Sequence, residues 1–293
     1  MSILSFPHRG PWGDSKWRGN CSGYVYQDLF KRLKPNFYID PMVGSGTSTD
    51  VANEMGIEAI GLDLHSGFNI LRDSILERAG KQADLVVSHP PYGNQVVYSG
   101  EVWGEPHPDD LSRCKDDDEF HQKLQQALLN QREATKDGGV YGTLIGDYRK
   151  NGRYTSYQAE AIARMPSAEL MAVIIKQQHN VMSNAKQYPG LVMPRIMHEY
   201  LLLWKRKQTP TIFLLRDLAT EQANRLRGTW RAIIRNVVIA LGGSASLKTL
   251  YEKIAAHCDE RVKANPNWQA KVRQILNSTG DYVSVSRGVW ALA

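Results

Sequence analysis

Asp40-Pro41-Met42-Val43-Gly44-Ser45-Gly46-Thr47-Ser48 is the stretch that decides how this chain folds. Just before it, Asn36 to Asp40 is short, aromatic and β-branched and follows Lys34-Pro35, which predicts a strand. Gly44 and Gly46 bracket a tight turn where a side chain would block close backbone approach. Thr47, Ser48 and Thr49 are capping residues for a helix over Ser48–Met55, ended by Gly56. A second strand, Glu58 to Leu62, delivers Asp63, 19 positions after Gly44. That is close to the spacing at which a carboxylate accepts hydrogen bonds from a ribose in a dinucleotide fold. Strand, glycine turn and helix in this order suit an adenosine-containing cofactor, and an ordinary strand–turn–helix is the plainer alternative. A nicotinamide dinucleotide fits less well, because Thr49 stands where the third glycine belongs. No Gly-Lys-Ser/Thr of a phosphate-binding loop follows either.

His89-Pro90-Pro91-Tyr92 begins 41 positions after Ser48, at the end of a buried-strand pattern over Ala83 to Ser88. Two successive prolines fix two φ angles and make this loop stiff. Stiffness matters where a nucleophile must be held in line with an electrophile. An exocyclic base amine is a poor nucleophile because its lone pair is delocalised into the ring. Acceptors on its protons hold it in a more tetrahedral, more nucleophilic state. A carbonyl of the proline pair and the side chain at the first position have that capacity, and Tyr92 has a ring for stacking. On its own the segment reads more readily as a surface Pro-Pro turn.

Together the two segments resemble the cofactor and catalytic motifs of the DNA amino-methyltransferases, which methylate the exocyclic nitrogen of adenine or cytosine. The resemblance covers about the first 205 residues. It implies an α/β fold, the class I methyltransferase Rossmann-like doubly wound sheet, with S-adenosyl-L-methionine as cofactor. It places Asp40 and Pro41 near the methionine moiety and Gly44, Ser45, Gly46 and Thr47 under the ribose, with Asp63 on the ribose hydroxyls. Arg9 to Gly23, rich in Gly, Trp and polar residues, resembles the segment that folds over the methionine end, which carries Arg18, Gly19 and Asn20 into the cofactor site. His89, Pro90, Pro91 and Tyr92 become the catalytic loop, Tyr92 stacking on a base flipped from double-stranded DNA. One departure stands out: the family tetrad begins with Asp, Asn or Ser, and here it begins with His89. A neutral imidazole accepts one hydrogen bond and a protonated one accepts none, so activity is expected to fall at acidic pH. The substitution also weakens the choice of base, leaving adenine N6 slightly favoured and cytosine N4 as the alternative. A DNA-binding regulator that retains the fold without the activity, or methylation of RNA or protein, are further readings. The resemblance also admits a homodimer and a companion restriction enzyme as partners.

The 293 residues, at 42% hydrophobic, suffice for one large and one small domain. Charge is uneven. From Lys205 onward there are 15 Lys/Arg against 6 Asp/Glu, a net of +9, which leaves −3 on the first 204 residues. A basic carboxyl third on a near-neutral body predicts a polyanion-binding appendage. No 18-residue apolar run or signal peptide appears, so a soluble, cytoplasmic protein without membrane partners is expected. Cys21, Cys114 and Cys258 are scattered, with no metal spacing. No Pro-Cys dipeptide supplies the nucleophile of cytosine-C5 methylation.

Strand patterns fall at Phe37–Asp40, Ala59–Asp63, Leu85–Ser88, Val140–Ile145, Ala172–Lys176 and Glu199–Trp204. Helical patterns fall near Gly23–Leu33, Ser48–Met55, Asp117–Ala134 and Thr155–Met165. Alternation of the two predicts a mostly parallel sheet, its last two strands forming an antiparallel edge. Asp137-Gly138-Gly139 is expected as a turn before a strand. The loop from Gly146 to Tyr154 is basic and aromatic, with Asp147 and Tyr148 candidates for a base pocket and Arg149, Lys150 and Arg153 for phosphates. His198-Glu199 is read as structural, and His179-Asn180 as a polar pair of no assigned role. The domains are then 1–207 catalytic, 208–227 linker and 228–293 appendage. In the appendage, helices over Thr229–Leu241, from Ser246 to about Val262 and over Trp268–Asn277 precede a hairpin of Tyr282–Val285 and Val289–Ala293. This outline resembles the winged-helix modules of DNA-modifying enzymes, which would put Gln269, Gln274 and Asn277 on base edges and Lys271, Arg273 and Arg287 on phosphates. A protein-interaction module of the same shape is the alternative.

Overall fold

A computed structural model describes residues 2–150, 152–179, 193–211, 214, 218 and 230–293, without the side chains of residues 94, 150, 257 and 259–261. The chain divides into two compact units, Met1–Thr211 and Ile212–Ala293.

In chain order the first unit contains β1 (Ile3–Ser5), α1 (Gly23–Leu33), β2 (Phe37–Asp40), α2 (Thr47–Glu54), β3 (Glu58–Gly61), α3 (Ile75–Ala79) and β4 (Ala83–Ser88). It continues with α4 (Asp117–Ala134), β5 (Thr135–Ile145), β6 (Tyr148–Lys150), β7 (Arg153–Thr155), α5 (Tyr157–Arg164), β8 (Leu170–Gln177) and β9 (His198–Lys205). Seven strands form one sheet in the order β1-β8-β9-β5-β4-β2-β3, and β6 and β7 make a separate antiparallel ribbon. Every sheet pairing is parallel except those of β9, which runs antiparallel to both β5 and β8.

The expected antiparallel edge is therefore corrected: β9 lies inside the sheet and β1, unforeseen, closes the edge beside β8. Burial gives the reason. Leu201 to Trp204 is buried throughout, whereas every position of β8 is exposed or half-buried. A strand covered on both faces belongs in the sheet interior. The Asp137-Gly138-Gly139 turn is carried inside β5 as an irregularity, since Ala83 pairs with Thr135 but Leu85 with Val140.

Side-chain alternation sends buried residues of each central strand to opposite faces. Tyr38, Leu85 and Val87 join the core under α1 and α2, with Leu29, Phe30 and Val51. Phe37, Ile39 and Val86 join the other core, with Phe120, Leu124 and Leu128 of α4 and Tyr157 of α5. A buried polar clamp sits at the far end of this layer. The fully buried Arg132 gives two hydrogen bonds to Glu169 (2.9 and 2.7 Å) and others to the carbonyls of Lys207 and Thr209. Tyr141 donates its hydroxyl to the same carboxylate at 2.7 Å.

The second unit contains α6 (Trp230–Ala240), β10 (Ser244–Ser246), α7 (Leu247–His257), α8 (Asp259–Ala264), α9 (Trp268–Ser278), β11 (Tyr282–Ser286) and β12 (Val289–Leu292). Its antiparallel sheet has the order β10-β12-β11, and Ile234, Val238, Leu250, Ile254, Val272 and Leu276 form its core. Ser246 caps α7, its hydroxyl accepting from the Thr249 N–H at 3.1 Å. The helix expected to run to Val262 breaks at Cys258, and the acidic pair Asp259-Glu260 starts a new one, as suits a helix amino terminus. Most of the expected 208–227 linker lies outside the described residues. No helix among the described residues is long and apolar enough to cross a membrane.

Candidate functional site

The glycine loop is built around two aspartates with different tasks. Asp40 ends β2 and is buried; its carboxylate accepts from the Met42 N–H (3.0 Å), the Ser48 hydroxyl (2.5 Å) and the Tyr38 hydroxyl (3.4 Å). Burial pushes its pKa up to about 7. Asp40 therefore fixes the strand end against the first turn of α2 and does not line the cleft described below. Asp63 follows β3 at the rim. Its Oδ2 accepts from the Gly44 N–H at 2.9 Å, and its Oδ1 from the His65 N–H at 3.1 Å and Nδ1 at 2.8 Å. This contact raises the His65 pKa. Gly44 has φ +53°, and a β-carbon there would meet the Trp17 indole nitrogen at 2.9 Å, so glycine serves both the turn and the close approach.

The segment ahead of α1 is docked on this loop. Asn20 donates to the Ser45 hydroxyl at 2.6 Å and accepts from the Thr47 hydroxyl at 2.5 Å. Gly13 N–H donates to Asp50 and the Trp12 indole to Glu54. Gly19, Asn20, Pro41, Gly44 and Asp63 line one cleft of about 760 Å³ including its open mouth. Arg18 is not among the lining residues; its carbonyl accepts from the Tyr98 hydroxyl at 3.0 Å. Leu64, Phe68, Ile70 and Leu111 supply an apolar wall, Trp17, Tyr98 and Trp103 an aromatic one, and His89 and Pro91 also line the cleft. The wall contributed by Tyr98 to Leu111 belongs to the irregular stretch between Tyr92 and Asp117, whose Trp103, two proline-containing turns and acidic residues mark it in the sequence as a candidate substrate-side loop. Asp110 binds the N–H and hydroxyl of Ser99 (2.7 and 2.6 Å) and those of Ser112 (2.8 and 2.7 Å), holding the loop in shape.

β4 delivers the proline loop to the same cleft. Burial lowers the His89 pKa to about 4, so the imidazole is neutral far below its ordinary range. The acid loss anticipated for an ordinary histidine is corrected downward accordingly. His89 Nε2 lies 2.7 Å from the Tyr92 hydroxyl. Tyr92 does not line the cleft: its ring packs on Gly146, where a β-carbon would fall 2.8 Å from the ring and 3.4 Å from the Glu199 side chain. Glu199 was missed as a site residue because it sits in a strand beside His198. Alternation puts the two on opposite faces: His198 meets the Tyr200 hydroxyl, while Glu199 turns into the buried cluster with Lys176 and Gln178.

A second hollow of about 1150 Å³, open to solvent, contains Gly93, Phe120, Tyr148 and Arg153. Arg149 donates to the Pro194 carbonyl and lies over the Tyr154 ring. Asp147 instead braces the first turn of α5, which Ser156 caps, accepting from the Tyr154 hydroxyl (2.6 Å), the Ser156 hydroxyl (3.2 Å) and the Gln158 N–H (3.1 Å). The side chain of Lys150 and the residue Asn180 lie outside the described residues. In the second unit, Gln269, Lys271, Arg273, Gln274 and Asn277 are all exposed on α9, opposite the buried Val272, Ile275 and Leu276. Arg287 is exposed in the turn between β11 and β12. Among the described residues no group of three His, Cys, Asp or Glu is placed to hold a metal ion.

No protein-family model matches the chain, and no curated protein matches it. Solved structures similar to it include TrmN from Thermus thermophilus, at 14% identity and a TM-score of 0.40, over 64% of this chain and 50% of that one. Another, also from Thermus thermophilus, is a proposed DNA modification methylase complexed with S-adenosyl-L-methionine, at 17% identity and a TM-score of 0.29, over 59% and 56%. A third is an rRNA methylase from Streptococcus thermophilus, at 12% identity and a TM-score of 0.33, over 63% and 96%. The chain spans about half the length of the first two. The strand order of its sheet, with the antiparallel β9 set between parallel β5 and β8, gives the first unit the class I methyltransferase fold.

Proposed function

We propose that the protein is an S-adenosylmethionine-dependent methyltransferase acting on the exocyclic amino group of a base in double-stranded DNA, adenine N6 slightly favoured over cytosine N4. One observation carries the reading: Gly44 and Asp63 line a single cleft together with His89 and Pro91 of the proline loop. The bound cofactor supplies an electrophilic methyl group. In this reading Asp63 accepts from the ribose hydroxyls, and Leu64, Phe68 and Ile70, which line the same cleft, give apolar contact to the adenine ring. Trp17, Gly19 and Asn20 of the docked segment form part of the cleft wall. At His89 and Pro91 the amine is held by acceptors, the Pro90 carbonyl and the imidazole, which withdraw its protons from the ring plane. A flipped base leaves the stack at a cost of a few kcal/mol, about what aromatic and edge contacts return. Because the Tyr92 ring faces Gly146, we assign the aromatic surface for that base to Tyr148 in the second hollow.

The order of α6, β10, α7, α9, β11 and β12 supports a winged helix, with the exposed face of α9 in the major groove. A second reading, a DNA-binding regulator with a silent methyltransferase fold, is favoured by His89 at the first position of the tetrad. Mass spectrometry of nucleosides from unmethylated DNA incubated with the protein and S-adenosylmethionine separates the two. N6-methyldeoxyadenosine or N4-methyldeoxycytidine is expected. Tight binding of cofactor and DNA without either product would transfer the assignment to the regulator.

A further inference from the structure

Two pieces of chain that the methyl-transfer reading uses only as walls meet beside the cleft. Trp17 and Gly19 line it from the segment ahead of α1, and Tyr98, Trp103 and Asp109 line it from the loop after the proline tetrad. The loop piece is a fixed post. The Tyr98 N–H donates to the Ser112 hydroxyl at 3.0 Å, and the Tyr98 carbonyl accepts from the N–H groups of Glu101 (3.2 Å), Val102 (2.7 Å) and Trp103 (3.2 Å). Asp110 ties Ser99 to Ser112, while Asp109 accepts from Asn69 Nδ2 at 2.8 Å and pairs with Arg72.

The other piece is anchored at its ends. Gly13 N–H donates to Asp50 at 2.9 Å on one side, and Asn20 bonds Ser45 and Thr47 on the other. Glycines in the left-handed region flank the stretch between, Gly13 at φ +64° and Gly19 at φ +79°, where the missing side chain leaves the backbone free to turn. Residues 14–18 bond to one another, Asp14 accepting from the N–H groups of Lys16 (2.8 Å) and Trp17 (3.2 Å). Among the described residues, one hydrogen bond joins them to chain beyond their own segment: the Tyr98 hydroxyl donates to the Arg18 carbonyl at 3.0 Å. Ring contacts of Trp17 with Tyr98 (centroids 6.4 Å apart) and His65 (5.2 Å) accompany it. Arg18 and Gly19 are exposed, so this contact sits at the surface.

We propose that residues 14–18 are a flap, hinged at Gly13 and Gly19 and caught on the Tyr98 hydroxyl, and that S-adenosylmethionine enters the cleft, and the demethylated cofactor leaves it, only while this catch is open. The flap rests on the cofactor reading above. Its catch joins protein to protein and not protein to ligand, and it is closed over the free and the loaded cleft alike. Weakening it therefore speeds entry and exit by the same factor and leaves Kd unchanged. A wall residue that touched the cofactor would instead raise the exit rate and Kd together.

Rapid filtration of the full chain with tritium-labelled S-adenosylmethionine, without nucleic acid, gives the entry rate from uptake and the exit rate from a chase with unlabelled cofactor. Tyr98→Phe removes the hydroxyl and keeps the ring beside Trp17. Both rate constants should rise about threefold to tenfold, the weight of one hydrogen bond, with Kd held within about twofold. Rates equal to the parent's overturn the flap. So does a faster exit alone, with a matching rise in Kd, which would make Tyr98 a contact of the cofactor. If the labelled cofactor does not bind the parent protein, the cofactor reading fails and the flap with it, whereas binding with either wrong pattern of rates overturns the flap alone.

Discussion

At the scale of single residues, burial sets protonation in two opposite directions. His89 stays neutral in the fold between about 4 and 6.5, where the unfolded chain binds a proton, so it makes stability rise with pH across that window. Asp40 keeps its proton in the fold up to about 7 although the unfolded carboxyl loses it near 3.8, so it makes stability fall as pH rises over nearly the same range. Each slope approaches about 1.4 kcal/mol per pH unit, and the two cancel. Urea melts across this window should therefore show His89→Gln losing stability relative to the parent as pH rises, and Asp40→Asn gaining it. Parallel curves for parent and variants would refute the assignment. Asp63 by contrast is the binding residue we propose. Asp63→Ala removes the acceptor of the Gly44 N–H and, in the proposed function, that of the cofactor ribose, and should raise the cofactor Kd by roughly tenfold to a hundredfold. Calorimetry with S-adenosylmethionine checks this, and an unchanged Kd removes Asp63 from the site.

Among the elements, the segment from Trp12 to Asn20 acts as a strap whose fit depends on two conformational details. Asn20 ties it to Ser45 and Thr47, and Gly19 passes at φ +79° beneath the Tyr98 hydroxyl, where a β-carbon would fall 2.1 Å away. Gly19→Ala combines a left-handed backbone, costing roughly 1–2 kcal/mol, with a clash against Tyr98. Cofactor affinity should drop by about tenfold, with a smaller change in melting temperature. An affinity equal to the parent's would show that the strap does not shape the cleft. The glycine-rich composition of the strap was legible in the sequence. Its docking was not, because the partners Ser45, Thr47, Asp50 and Glu54 lie 25 or more residues away.

Across the whole molecule, stability and charge are laid out separately. The Arg132–Glu169 clamp gathers α4, β5 and the chain after β9 at one buried point of the first unit. Glu169→Ala leaves a guanidinium buried without its counterion and should cost about 3–5 kcal/mol, seen as a lower urea midpoint. A loss within error would mean that the carbonyls of Lys207 and Thr209 suffice. The basic carboxyl third predicts that DNA affinity falls steeply with salt in the full chain, and that residues 1–211 alone lose most of that dependence. Equal salt slopes for the two would move the DNA surface into the first unit. The glycine turn, the proline tetrad, Asp63 and the outline of both units could be read from the sequence, because each rests on local φ preference, capping or side-chain period. Tertiary structure alone decided that β9 lies within the sheet, that Asp40 is internal, that Tyr92 turns toward Gly146, and that Glu199 packs against the same glycine from a distant strand. Those outcomes depend on which faces are covered and on desolvation at long range, and neither is written in any local window of the chain.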